Sequence, residues 1–156
     1  MSLNFLCLKV KFIVNCILVL SISYGCSKPP RGDRKETVQV TGKVSVDGEV
    51  PSSAIKVTCH DKDGLDTSQP SYSWSMTGED GEFALSTYES GDGVPPGNYA
   101  LTFMWGKMNA VSMSYGGPDQ LKGKYDELSE SPVDFEVTAD SEPIDLGTIE
   151  LTTAKK

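Results

Sequence analysis

The chain has 156 residues, with 14 Lys and Arg against 22 Asp and Glu and a formal net charge of −8. That length allows one core-bearing domain plus leader segments, and the negative balance excludes a nucleic-acid reader that works through a basic patch. Cys7, Cys16 and Cys26 fall in the first 26 residues, which leaves Cys59 without an intrachain partner, so no disulfide framework is expected to hold the fold.

Residues 1–11 hold no acid and include Lys9 and Lys11, and a predominantly apolar run follows over residues 12–22. The run suits the core of a secretory signal, about 7–15 residues, and falls short of the roughly 18 uninterrupted apolar residues of a membrane span. Gly25-Cys26 resembles the bacterial lipobox, in which the cysteine is diacylated and becomes the mature N-terminus. The alternative is ordinary cleavage near Gly25 with Cys26 incidental. Ser27 resembles the sorting signal of outer-membrane lipoproteins. Residues 26–36 read as a polar tether, with Pro29-Pro30, four basic and two acidic side chains, and Arg31-Gly32-Asp33 arising there by chance. The expected organisation is a signal peptide over 1–25, lipidated Cys26 and tether over 26–36, and one domain over 37–156. That domain carries 8 basic against 20 acidic side chains, a balance of −12.

Residues 37–46 place Val38, Val40, Val44 and Val46 on one face and polar residues on the other, the two-residue period of a half-buried strand. Gly42 interrupts the apolar side, which points to a bulge or a close neighbouring backbone. After Asp47-Gly48, Ile55, Val57 and Cys59 alternate with Lys56, Thr58 and His60 in a second strand. Tyr72, Trp74 and Met76 then alternate with small residues, and Phe83 and Leu85 do the same beyond Gly78-Glu79-Asp80-Gly81, whose Asp-Gly pair predicts a hairpin turn. Pro95-Pro96-Gly97-Asn98 predicts a type II turn that launches a strand with Tyr99, Leu101, Phe103 and Trp105 inward. The pattern weakens over residues 106–131. There Val111, Met113 and Tyr115 alternate briefly, and Asp119 caps a turn sharing Leu121, Tyr125 and Leu128 on one face. Val133, Phe135 and Val137 restore the strand pattern. Ile144 and Leu146 precede Ile149 and Leu151, with a one-residue phase shift at Gly147-Thr148 that predicts a β-bulge. About seven strands without a long helical pattern imply an all-β fold, a seven-stranded antiparallel β-sandwich of prealbumin or immunoglobulin type.

Three segments, Val40-Thr41-Gly42-Lys43-Val44-Ser45-Val46-Asp47-Gly48, Thr77-Gly78-Glu79-Asp80-Gly81-Glu82-Phe83 and Asp92-Gly93-Val94-Pro95-Pro96-Gly97-Asn98-Tyr99-Ala100-Leu101-Thr102, resemble in their order the carboxypeptidase regulatory-like domains, which are transthyretin-like. Leu121-Lys122-Gly123-Lys124-Tyr125 and Ser131-Pro132 are similar to the small bacterial lipoprotein version of that group. The resemblance implies an accessory module without a catalytic site or cofactor. It implies function weakly, because a fold does not fix an activity.

Candidate sites are sparse. His60 is the sole histidine, and beside Cys59 on a strand it points to the opposite face, so the two cannot exchange a proton; a buried thiol and an exposed imidazole are expected. One His and one free Cys do not make a zinc site. Asp61, Asp63, Asp80 and Asp92, with Asp66 and Glu79 nearby, offer oxygen ligands for calcium but no EF-hand spacing, and Asp-Gly pairs are also how hairpins turn. Trp74 and Trp105 are expected in the core. Tyr115, Tyr125, Lys122 and Lys124 form the candidate contact surface, or else pin their own loop. The functional expectation is a non-enzymatic lipoprotein exported to the cell envelope, in the outer membrane, whose sandwich binds an envelope protein or glycan or serves a structural role. Alternatives are a transthyretin-like small-ligand carrier, which needs an oligomeric channel, a carbohydrate-binding protein, and a hydrolase of the hydroxyisourate type, whose several histidines this chain lacks.

Overall fold

The computed structural model describes residues 34–153, residue 65 excepted. The signal segment, Cys26 and Arg31-Gly32-Asp33 lie outside the described residues. Nine strands follow in order: β1 (Val40–Val46), β2 (Lys56–Asp61), β3 (Ser73–Met76), β4 (Glu82–Ala84), β5 (Gly97–Met104), β6 (Lys107–Asn109), β7 (Ser114–Gly116), β8 (Asp134–Val137) and β9 (Ile144–Leu151). Seven of them build two sheets, ordered β4-β1-β9 and β3-β2-β5-β8, and β6 and β7 form a separate ribbon. The expected all-β sandwich is what folds. Pairing is antiparallel except between β1 and β9, which run parallel. Among the described residues no helix is long and apolar enough to cross a membrane.

Alternation in the strands builds one core. Val40, Val44 and Val46 from β1, with Phe83, Ile149 and Leu151, meet Val57, Cys59, Tyr99, Leu101, Phe103 and Val137 from the opposing sheet. Each fully buried large side chain contributes roughly 1.5–3 kcal/mol relative to exposure. The predicted bulge lies on β9, where Thr41 pairs with Asp145 but Lys43 pairs with Thr148, and Gly147 has a φ of 67°. Directly across, a Cβ on Gly42 would sit 2.8 Å from Cζ of Phe83, so the glycine makes room for the ring from β4. Both sequence irregularities therefore belong to one structural event.

Two expectations are corrected. Gly97 does not occupy the positive-φ corner of a type II turn; it opens β5 opposite Val137, and the chain reverses earlier, at Gly91 and Gly93, with φ of 72° and 91°. Tyr99 packs on Gly97, and its hydroxyl donates to Pro95 O at 2.8 Å, closing the corner that the prolines begin. The predicted hairpin at residues 78–81 also forms only in part. Its turn bonds are present, Gly78 N to Glu82 O at 2.8 Å and Gly81 N to Gly78 O at 3.1 Å, yet β3 joins β2 and β4 joins β1 in different sheets. The arms meet again at Trp74 and Ser86 and splay in between.

Candidate functional site

The splayed arms set the phase of β3. The inner side of β3 carries small polar side chains, and these hydrogen-bond because they leave water. Ser73 and Thr77 accordingly face inward, 4% and 5% exposed. Thr77 Oγ1 accepts from Ile55 N at 2.9 Å. Thr87 donates its hydroxyl proton to Gly93 O at 2.6 Å, so Ser73 is the donor in the 2.7 Å contact between the two hydroxyls. Tyr72 and Trp74 consequently turn outward, 69% and 49% exposed. This overturns the expectation of a core Trp74. Trp105 does pack against the core, half-buried, with Nε1 donating to Ser53 Oγ at 2.9 Å.

Strand register assembles the outer face of the four-stranded sheet in rows. Met76, Lys56 and Met104 are cross-strand neighbours, as are Trp74, Thr58 and Thr102, and His60 lies opposite Ala100. A depression of about 460 Å³ on this face is lined by Lys56, Thr58, His60, Tyr72, Trp74, Met76, Met104 and Tyr115, and by no carboxylate. His60 Nε2 bonds Thr102 Oγ1 at 2.8 Å, and partial burial lowers the pKa of the imidazole, which keeps it neutral. His60 is thus half-buried in the wall of the depression instead of freely exposed. Lys56 Nζ has no ion-pair partner among the described residues. A shallow, mostly apolar surface with a few polar groups is the usual form of a ligand contact.

A sequence signal for this face exists. The three longest stretches of the domain without any Asp or Glu are 50–60, 67–78 and 93–118. Those stretches supply β3, β5, β6, β7 and all of β2 but its last residue, Asp61. Charge omitted from three separate segments marks one surface only once the strands are paired.

A larger groove of about 750 Å³ runs along the other sheet past Thr41, Lys43, Glu82 and Asp145 and into the splay between β4 and β3, where it reaches Met76. Along that sheet its outer side chains are short or charged and of both signs. Its lining is more polar than that of the smaller depression and holds no outward aromatic pair, so the depression is the better candidate despite its volume.

The remaining sequence candidates are placed elsewhere. Cys59 is buried in the core and His60 faces the other way, as their alternation predicts; burial, then Asp61, pushes the thiol far up, so it is not a nucleophile at neutral pH. Asp61 accepts from Asp63 N at 2.9 Å, Asp63 from Asn98 Nδ2 at 2.8 Å, and Asp80 from Glu82 N at 3.2 Å. Asp92 accepts from the backbone N–H groups of Thr87, Tyr88 and Glu89 at 2.7, 3.0 and 3.0 Å. These carboxylates shape turns, and among the described residues no three His, Cys, Asp or Glu side chains converge to hold a metal. Lys35 lies 2.8 Å from Asp66 and, with Ser68 and Gln69, holds that carboxyl well below the usual range.

The candidate contact surface formed by Tyr115, Tyr125, Lys122 and Lys124 does not exist as a unit. Tyr125 is a core residue whose hydroxyl accepts from Thr152 N at 3.1 Å, and Lys124 lies over its ring at 5.0 Å. Tyr115 is half-buried, and its hydroxyl contacts Ala54 O, Met104 O and Gly106 N at 2.9, 2.9 and 2.7 Å. Lys122 is exposed at a φ of 59°, in the turn whose N–H groups Asp119 accepts. These residues tie the irregular segment down because its backbone, lacking a ladder, needs side-chain partners.

No protein-family model matches the chain, and no curated protein does. Among solved structures it is similar to a variant of BcpA, the major pilin subunit of Bacillus cereus, at 13% identity and a TM-score of 0.40 over 73% of this chain and 29% of that one. It is also similar to a 9R-lipoxygenase from Cyanothece at 11% identity and a TM-score of 0.37, over 89% of this chain and 20% of that one. The chain thus spans less than a third of either neighbour's length.

Proposed function

We propose that this protein is a non-enzymatic binding module of the bacterial cell envelope, a carboxypeptidase regulatory-like sandwich that contacts its ligand through the acid-free outer face of β3, β2 and β5. The observation that carries the reading is the outward pair Tyr72 and Trp74 beside Thr58 and His60. The leader pattern and Gly25-Cys26 support export and acylation at Cys26, with residues 26–36 as the tether and the outer membrane as the site of anchorage. Lack of catalysis is supported by the inert Cys59 and by its separation from His60 on opposite strand faces.

A glycan is the ligand class this face favours. Two aromatic rings two residues apart on one strand face offer stacking surfaces for the C–H faces of sugars, and Thr58, His60 and Lys56 offer hydrogen bonds to hydroxyls. The test is titration of the full chain with soluble envelope glycan fragments, followed by tryptophan fluorescence. Saturable change is expected for wild type and is lost in Trp74→Ala. Absence of any response in wild type sinks the glycan reading, and equal fatty-acid labelling of wild type and Cys26→Ala sinks the anchor.

A further inference from the structure

The β6–β7 ribbon belongs to neither sheet, and its end is the most apolar exposed part of the described chain. Met108, Val111 and Met113 are 60%, 96% and 79% exposed, three large hydrophobic side chains within six residues, the first on β6 and the other two on the four-residue loop that follows it. Single exposed hydrophobics need no explanation, but a cluster at a projecting tip does. We propose that this tip seats in the interfacial layer of a lipid bilayer.

Three features choose lipid over a protein groove. The first is hydrogen-bond closure. Asn109 Oδ1 accepts from Val111 N and Ser112 N at 2.9 and 3.1 Å, and the Ser112 and Ser114 hydroxyls pair at 2.7 Å. Orphaned backbone groups cost several kcal/mol in hydrocarbon, about the amount that excludes irregular loops from it, and the Asn109 side chain meets the two N–H groups at the centre of this loop, those of Val111 and Ser112.

The second is charge. A domain of balance −12 is repelled by anionic headgroups, but residues 93–118 hold no acid and one base, Lys107 at the base of the ribbon. Lys107 stands one position from Met108, where a long side chain reaches headgroup phosphates while its stem covers apolar surface. The third is shape. The tip is convex and carries unbranched methionines, which adapt to a soft medium without requiring a matching pocket. Its base is held by the Tyr115 hydroxyl and its three backbone contacts, so the tip is presented on a fixed support.

This inference does not depend on the ligand face or on Cys26. It is tested with the full chain on vesicles of phosphatidylethanolamine and phosphatidylglycerol whose acyl chains are brominated, using Val111→Trp in a background where both native tryptophans are replaced, Trp74→Phe and Trp105→Phe, so that the tip carries the sole reporter. Asp140→Trp in the same background, on the turn between β8 and β9, controls for proximity brought about by the leader. The Val111→Trp emission is expected to shift to the blue and to fall roughly twofold with brominated lipid, whereas the Asp140→Trp emission stays unchanged. Equal quenching at both positions, or water-like unquenched emission at the tip, overturns the proposal. A blue shift that depends on protein concentration without vesicles also overturns it, in favour of contact with a second copy.

Discussion

Trp74 and Ser86 exchange both backbone hydrogen bonds, N to O at 3.1 and 3.0 Å, although the strands they extend belong to different sheets. This pair staples the edge of the sandwich. It sets the phase that buries Ser73 and Thr77 and turns the Trp74 indole to solvent, so the proposed ligand face follows from the way the sheets are closed.

The buried chain Ser73 to Thr87 to Gly93 O should be sensitive to loss of its middle member. Thr87→Val preserves shape but leaves the Ser73 hydroxyl and the Gly93 carbonyl unpaired, at an expected cost of about 1–3 kcal/mol. Urea denaturation should show the shift in midpoint. Trp74→Ala, which removes an exposed ring, should cost less than about 1 kcal/mol; a larger loss for Trp74→Ala than for Thr87→Val contradicts the burial pattern.

Tyr115→Phe removes a hydroxyl that serves three backbone groups around Ala54, Met104 and Gly106. The expected loss is again about 1–3 kcal/mol, concentrated in the ribbon. Hydrogen exchange should accelerate across β6 and β7 while β1 and β9 keep their protection. Uniform acceleration throughout the domain argues against a local anchor.

Gly93→Ala should be among the most damaging glycine replacements. At a φ of 91° its Cβ would lie 1.8 Å from Val38 O, so backbone must move in the bridge between Val38 and Val94. Gly48 has a φ of 82° but nothing within 4 Å of its Cβ, which isolates the conformational cost. About 1–2 kcal/mol is expected for Gly48→Ala, and about 3 kcal/mol or more for Gly93→Ala. Similar thermal shifts for the two variants would falsify the steric account.

Acidification should weaken the fold through His60. Burial lowers its pKa from the ordinary 6.5, so below that value the unfolded chain binds a proton that the folded protein resists. The contribution is present above about pH 6.5 and is lost as the pH falls through the depressed folded value. Because His60 is the sole histidine, the melting temperature of His60→Gln should fall less than that of wild type between about pH 7 and 5. Parallel curves for the two proteins exclude the effect.

Local chemistry explains what could be read before any contact was known. The period-two runs located β1, β2, β5, β8 and β9, and the one-residue phase slip located the bulge at Gly147. Cys59 inward and His60 outward followed from alternation on β2. Asp119 does cap its turn, accepting from Leu121 N and Gly123 N, and Leu121 and Tyr125 are buried as their shared face implies, whereas Leu128, expected on that face, is 48% exposed.

Other features had no local signature. Alternation on β3 established that Tyr72, Trp74 and Met76 share a face opposite Ser73, Ser75 and Thr77, but not which face is inside. The usual preference for burying large residues gave the wrong answer because Ser86, Thr87 and Gly93 crowd the inner side. Gly97 entered β5, and Tyr125 entered the core, for the same kind of reason: their partners Val137 and Thr152 are distant in sequence. The sequence alone thus determined where backbone extends, turns and bulges, since φ preferences and side-chain period act over a few residues. Only the tertiary structure decided which sheet each strand joined, which faces met, and that three acid-free segments form one surface, because those outcomes depend on space shared between residues far apart in the chain.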